Sequence, residues 1–299
     1  TGRPKGVRRP LPDVDLDEYW GVSSRSSFET LRLGCRADDV HLVVSPMYHT
    51  AIINLATSAL HVGHKVVLRE RFEPLDTLRA IERYRVTNAH MVPTQFHRLL
   101  SVDETVRQDF DLTSIRTLLH GAAPCPLTVK HRMIQWLGPV ISEYYGASEG
   151  GGTIVSADEW LRRPGTVGRP YAGAEVHVLD DTGAPVPPGV VGRVFLKPLG
   201  ELFEYHGDPD KTAASRSGGL ITAGDLGHVD EAGYLFLRGR ANDLVITGGV
   251  NVYPAEVEDA LFAHPAIADA AVIGLPDEEW GEIVAAVIEL HPGWVADQS

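Results

Sequence analysis

Apolar positions in the first half of the chain fall into short runs separated by longer amphipathic stretches. Val40 to Ser45 reads Val-His-Leu-Val-Val-Ser, and Lys65 to Leu68, Ala89 to Val92 and Ile115 to Leu119 are similar short segments. Such runs, bounded by polar residues, predict buried strands. Gly138 to Ser142 predicts another. Between the runs, Leu75 to Tyr84 and Pro93 to Leu100 carry apolar residues at helical spacing, with Thr94 a candidate cap for the second helix. This strand-helix alternation over residues 1–170 predicts a layered α/β unit.

At Ala174 the pattern changes. Glu175 to Asp180 and Gly192 to Lys197 read as strands set around the turns Asp181-Thr182-Gly183 and Pro187-Pro188-Gly189, so residues 171–241 predict a small β-rich unit. A third segment, residues 242–299, starts with a strand at Leu244 to Thr247. It continues into a helix with Pro254 in its first turn and Glu256 and Glu258 near its start, stopping at His264-Pro265.

Composition narrows the function classes. A 299-residue chain that is 43% hydrophobic has enough apolar surface for one large core or two moderate ones. Lys and Arg number 27 against 40 Asp and Glu, a net charge of −13, which disfavours a nucleic-acid partner. Arg3, Lys5, Arg8 and Arg9 form one local basic run that fits a phosphate loop or a solvated turn equally well. Cys35 and Cys125 have neither disulfide-framework nor metal-ligand spacing, so a reducing cytoplasm is the expected compartment. No run approaches the roughly 18 apolar residues that span a bilayer, although peripheral membrane contact stays compatible. Oligomeric state is not legible in the sequence.

Four motifs in fixed order carry the chemistry: Thr1-Gly2-Arg3-Pro4-Lys5-Gly6, Tyr145-Gly146-Ala147-Ser148-Glu149, Thr222-Ala223-Gly224-Asp225 and Gly239-Arg240-Ala241-Asn242-Asp243. A Gly/Lys loop lets backbone N–H groups approach phosphate oxygens while Lys adds charge. Tyr145 to Glu149 offers a stacking ring, a hydroxyl and a hard carboxylate oxygen suited to Mg²⁺. Asp225 offers acceptors for ribose hydroxyls, and Arg240 a rigid cationic partner.

In this order the motifs resemble those of the acyl-adenylate-forming superfamily, which includes acyl-CoA synthetases, luciferases and the adenylation domains of peptide synthetases. The resemblance implies an α/β fold with a small β-barrel subdomain before a hinge and the start of an α+β C-terminal domain. It implies a fatty-acyl-CoA ligase that uses ATP, Mg²⁺ and coenzyme A to activate a carboxylic acid through an acyl-AMP. An acyl-AMP ligase serving a carrier protein, or a catalytically silent nucleotide-binding fragment, stays open.

Residue by residue, the resemblance implies Thr1, Gly2 and Lys5 in the phosphate loop and Gly121, Ala122, Ala123 and Pro124 as one wall of the adenine and acyl pockets. It implies Tyr145 and Gly146 at the adenine, Ser148 at phosphate, Glu149 at the metal and Asp225 and Arg240 at the ribose. Asn242 falls at the hinge, Gly248 and Gly249 at the pantetheine tunnel and His49 at the acyl gate. Ser148 stands where the family usually has Thr, and Asn242 where it has Asp or Lys; Asn tolerates the left-handed backbone that a hinge visits. The family's phosphate loop begins before Thr1 and its late catalytic lysine follows Lys211, the last lysine here, so the chain is expected to be cut at both ends. No Asp or Glu lies between His41 and Arg69. The amino-acid-activating members place an Asp there, which argues against an amino acid. The apolar run Ala51-Ile-Ile-Asn-Leu-Ala suits a fatty acid, and aromatic or steroidal acids equally.

Overall fold

The computed structural model of the protein describes residues 6–8, 15–34, 36–146, 150–197, 203–264, 266–291 and 293–295, with only the backbone at 16–22. A short strand β1 (Val7–Arg8) precedes helix α1 (Leu16–Thr30). Then β2 (Val40–Val43), α2 (Thr50–His61), β3 (Lys65–Leu68), α3 (Pro74–Tyr84) and β4 (Asn88–Met91) alternate. The alternation continues through α4 (Pro93–Leu100), α5 (Glu104–Gln108), β5 (Thr117–His120), α6 (Leu127–Leu137) and β6 (Ile141–Gly146). Strands β3, β2, β4, β5 and β6 lie side by side in that order, all parallel.

Side-chain alternation explains the three layers. Leu42, Val44, Ala89, Met91, Leu118 and Ile141 face one way and pack on Leu78 and Ile81 of α3, Phe96 and Leu99 of α4 and Met133 of α6. Val43 and Leu119 face the other way, meeting Ile52, Leu55, Ala56 and Ala59 of α2 and Phe28 of α1. Each fully buried Val, Leu, Ile, Phe or Met side chain among them contributes roughly 1.5–3 kcal/mol. The run Ala51 to Ala56 thus has its inward residues Ile52, Leu55 and Ala56 committed to this core, while Ile53 is exposed.

The structure moves several expected boundaries. Thr94 is exposed inside α4 and does not cap it; the Gln95 Oε1 accepts from the Val92 N–H at 3.0 Å and from Ser45 Oγ at 3.1 Å, tying the helix start to the end of β2. Gly138 ends α6 with φ of 81°, so β6 begins only at Ile141 and runs through Tyr145.

Beyond β6 the sheet turns antiparallel through β7 (Gly152–Ser156), α7 (Ala157–Arg162) and β8 (Thr166–Pro170). The β-rich unit follows, with β9 (Glu175–Leu179), β10 (Gly192–Lys197), β11 (Glu204–Tyr205), α8 (Pro209–Ala214), β12 (Arg216–Ser217), β13 (Leu220–Ile221), β14 (Asp225–Val229) and β15 (Leu235–Arg240). It has its own core of Val167, Val178, Val194, Leu196, Phe203 and Leu235. Strand β8 is the seam, pairing β7 on one side and β15 on the other. Among the described residues the strand path is open, running from β12 to β3, so the barrel-like unit is not a closed ring.

The C-terminal segment holds β16 (Val245–Thr247), β17 (Val250–Val252), α9 (Pro254–Phe262), β18 (Ile267–Asp277) and β19 (Gly281–Leu290). Its sheet has the order β17-β16-β19-β18. Sequence reading found β16 and α9 but not β17 or the long β18–β19 hairpin. Among the described residues, no helix is long and apolar enough to cross a membrane.

Candidate functional site

The C-terminal ends of β5 and β6 lie side by side, and the parallel pairing sets the segments that follow them next to each other. Open α/β sheets bind ligands at this edge. Gly121 follows β5 directly, and an added Cβ would stand 2.6 Å from the Tyr144 carbonyl oxygen, so only glycine fits there. Ala122, next in line, holds a left-handed φ of 70°, and Ala122, Ala123 and Pro124 are exposed at the rim. Strain of this kind in a non-glycine residue persists where the surroundings fix it, and it concentrates at ligand sites. The wall expected from sequence therefore stands beside Tyr144 to Gly146.

Tyr145 spans the seam between the two units. Its ring packs against the β-rich core, and its hydroxyl donates to Asp225 Oδ2 at 2.6 Å. Asp225 opens β14 and pairs in register with Arg240, the last residue of β15. The Arg240 Nε lies 3.6 Å from Asp225 Oδ1, with the Asp225 side chain 16% and the Arg240 side chain 47% exposed. A carboxylate has about four lone-pair sites, so Asp225 keeps acceptors free for a vicinal diol. The structure thus brings Tyr145 to Asp225, 80 residues away in sequence, and to its neighbour Arg240.

Local chemistry holds Asp225 there. The buried Thr222 hydroxyl donates to the Val194 carbonyl at 2.7 Å and accepts from the Gly224 N–H at 3.0 Å, while the Ala241 N–H donates to the Gly224 carbonyl at 2.9 Å. Both ends of the Thr-Ala-Gly-Asp motif are thereby pinned. Sequence reading singled out Asp225 but gave no role to Thr222, whose place two residues before Gly224 is the signal it left.

Behind the site lies a buried polar group that sequence reading missed. Glu143 on β6 pairs with Lys130 of α6, and His120 at the end of β5 stands 3.7 Å from the same carboxylate. The Lys130 ammonium lies 4.8 Å from the Trp160 ring centre. Burial raises the Glu143 carboxyl against the opposing pull of Lys130, and burial holds His120 well below the usual imidazole range. Burial also pushes Tyr144 up to about 12, its hydroxyl meeting His90 Nε2 at 3.3 Å. No spacing rule links positions 130 and 143, so only the fold reveals the pair.

The remaining expected residues are more dispersed. His49 is exposed where α2 begins, after the C-terminal end of β2, with its ring 4.5 Å from that of Tyr48. Asn242 sits in the 3₁₀ turn Ala241–Asp243 and is not among the left-handed residues, so the backbone tolerance expected of it is not used here. Gly248 and Gly249, with φ of 56° and 80°, form the turn of the β16–β17 hairpin rather than a strand-to-helix turn, and Gly248 lies against the Trp280 ring. Thr1, Gly2, Lys5, Ser148 and Glu149 lie outside the described residues. Two surface clefts of about 650 and 680 Å³ lie away from the Tyr145–Asp225 pair, one lined by Lys65, Thr87 and Arg116, the other by Arg32, Glu159 and Tyr171.

Known proteins resemble this chain in sequence and in fold. The family model described as AMP-binding enzyme matches residues 1–200, and that of the AMP-binding enzyme C-terminal domain matches residues 256–298. The fatty acid–[acyl-carrier-protein] ligase ScoC of Streptomyces coeruleorubidus is 35% identical over 98% of this chain and 56% of its own length. The medium/long-chain-fatty-acid–CoA ligase FadD8 of Mycobacterium tuberculosis is 32% identical over 100% of this chain and 51% of its own. Among solved structures, o-succinylbenzoate CoA synthetase from Bacillus subtilis, in complex with its acyl-adenylate intermediate, superposes with a TM-score of 0.84 at 31% identity, over 99% of this chain and 58% of that one. The chain spans about half the length of the curated relatives it matches.

Proposed function

Because the chain belongs to the AMP-binding enzyme family, the adenylate-forming ligases, we propose that it serves an ATP-dependent acid–thiol ligase acting through an acyl-AMP. The observation that carries this reading is the Tyr145–Asp225–Arg240 constellation beside the Gly121–Pro124 wall. Asp225 accepts the ribose hydroxyls while Tyr145 and Arg240 hold its carboxylate in place. The exposed amides after Gly121 and the Tyr145–Gly146 edge frame the base. Glu149, outside the described residues, is the carboxylate that would hold Mg²⁺ at the phosphates, with Ser148 and Lys5 on the phosphate oxygens.

In the first half-reaction the substrate carboxylate attacks the α-phosphate and pyrophosphate leaves; in the second a thiol attacks the acyl carbon and AMP leaves. Such chemistry rests on positioning and charge neutralisation more than on covalent catalysis. We assign the acid to the fatty or another apolar class, with His49 as gate, and coenzyme A as acceptor, reached along the Gly248–Gly249 turn. Similarity to ScoC favours a second reading, in which the acceptor is a carrier protein. The unit 242–299 would rotate about Asn242 relative to units 1–170 and 171–241 between the two steps.

The test is AMP and ATP binding by calorimetry to the wild type and to Asp225→Ala. Loss of a hydrogen bond to a charged group weakens nucleotide binding by about 1.5–3 kcal/mol. Equal affinities for the two proteins, or equal loss for ATP and its 2′,3′-dideoxy analogue, would remove Asp225 from the ribose. Pyrophosphate release across a panel of acids, with coenzyme A or a carrier protein as acceptor, separates the readings of substrate.

A further inference from the structure

The cleft of about 650 Å³ at Lys65, Thr87 and Arg116 lies at the opposite end of the parallel sheet from the candidate site. In the strand register Val40 faces Lys65, and Asn88 faces both His41 and Thr117, so the segments entering β2, β3, β4 and β5 start side by side. Each brings a charge. Lys65 opens β3, Arg83 and Arg85 lie where α3 ends on the way to β4, and Arg116 stands just before β5. Asp38, just before β2, is the one carboxylate among the described residues that line the cleft. The chain as a whole carries −13, so four cations against one anion invert its sign locally. A cleft of one sign with low-dielectric walls concentrates counter-ions.

Part of this charge is already paired. Arg85 Nη1 donates to Asp111 Oδ2 at 2.5 Å, and Arg116 pairs with the buried Asp39. A guanidinium has five N–H donors, and the two side chains are still 59% and 37% exposed, so both keep donors to offer. Lys65 and Arg83 have no carboxylate partner among the described residues; the Arg83 guanidinium lies 5.3 Å from the ring centre of Tyr84. A cation in the last turn of a helix is favourable in any case, which accounts for Arg83 but not for Lys65 and Arg116, which come from other segments. Arg85 closes α3 with a left-handed φ of 54°, where glycine is the usual residue, so its side chain is held there against a backbone preference. The Ser114 hydroxyl, buried and without a hydrogen-bond partner among the described residues, belongs to the same lining. Buried hydroxyls are ordinarily paired, so one donor is left over here.

We propose that this cleft binds a small phosphorylated molecule, at a site separate from the nucleotide site. Lys65 and Arg83 hold the phosphate group, and the remaining N–H donors of Arg85 and Arg116 complete its shell, since guanidinium forks match phosphate oxygens. A phosphate monoester carries about −1.5 to −2 at pH 7, which balances the two cations that have no carboxylate of their own. The cleft volume falls within the roughly 300–1,000 Å³ of small-molecule sites. The assignment does not depend on the function proposed above.

Calorimetric titration of the 299-residue chain with glycerol 3-phosphate tests it, at an ionic strength held constant with potassium chloride. The wild type should bind saturably. Lys65→Ala and Arg83→Ala, both on exposed side chains, should each weaken binding about tenfold, the scale of one hydrogen bond to a charged group. Asp38→Asn, which removes the one lining carboxylate, should tighten it about twofold, the scale of an exposed charge interaction. Asp225→Ala and excess AMP should leave it unchanged. A non-saturating response would overturn the proposal, because it reports only a counter-ion cloud. So would equal binding by wild type, Lys65→Ala and Arg83→Ala, or weaker binding by Asp38→Asn. Displacement by AMP with loss in Asp225→Ala would move the phosphate to the nucleotide site and overturn it as well.

Discussion

Acidification from pH 7.5 to 5 should cost this protein about 4 kcal/mol of stability through two histidines buried within the parallel sheet. His41 on β2 and His90 on β4 are 1% and 3% exposed. His41 Nδ1 is 2.5 Å from the Asn88 Oδ1, and His90 Nε2 meets the Tyr144 hydroxyl, but no carboxylate pairs with either ring among the described contacts. Burial lowers each from 6.5 to about 4, with His64 adding to the effect at His41 and His41 at His90. A group whose folded pKa is depressed as a base binds more protons when unfolded, so stability is full above 6.5 and falls as pH drops from 6.5 toward 4. Each pKa unit is worth 1.36 kcal/mol, so at pH 5 each histidine has lost about 2 kcal/mol. Against a total of roughly 5–15 kcal/mol for a folded domain this is a large share.

Carboxylates titrate elsewhere. Glu159, held down to about 2 by the Ser156 hydroxyl and amide against the cost of burial, keeps its contribution above 4.5 and loses it only below. Glu143, raised by burial, acts with the opposite sign, binding its proton more readily folded than unfolded. The assay is urea unfolding at pH 7.5, 6.5, 5.5 and 5.0 in wild type and His90→Gln. The wild type should lose stability between 6.5 and 5.0, and His90→Gln should lose about 2 kcal/mol less over that interval. A flat profile for wild type, or identical slopes for the two proteins, would refute the assignment of neutral buried rings.

Gly121→Ala forces a Cβ to 2.6 Å from the Tyr144 carbonyl oxygen, and overpacking of this kind should destabilise by about 1–3 kcal/mol, read as a lower urea midpoint. Lys130→Met leaves Glu143 buried without its cation and should cost about 3–5 kcal/mol, whereas the double change with Glu143→Leu should recover much of it; a double mutant no better than the single would deny the pairing its role. In a protein that carries out adenylation, Glu149→Gln should lower pyrophosphate exchange by roughly 10²-fold, the scale of one lost electrostatic contact, and an unchanged rate would free Glu149 of the metal.

The sequence by itself determined what depends on local period and turn chemistry. Lys65–Leu68, Pro93–Leu100 and Gly192–Lys197 fall where their residue pattern puts them, because short apolar runs and helical spacing each have one favourable way to bury their faces. Gly224 and Gly239 were legible for a related reason, since their φ of 90° and 126° is backbone that favours glycine. What lay between distant positions was decided only by the tertiary structure. Tyr145 reaches Asp225 because β8 joins two units at a seam, and Lys130 meets Glu143 because α6 packs on β6. The β18–β19 hairpin went unread for a related reason. Its alternating positions are largely apolar on both faces, from Ile273 and Val287 on one to Val272 and Ile288 on the other, so no period marks an inside. Local propensity sets an element, but which elements meet is fixed by long-range packing, whose energy no window of sequence contains.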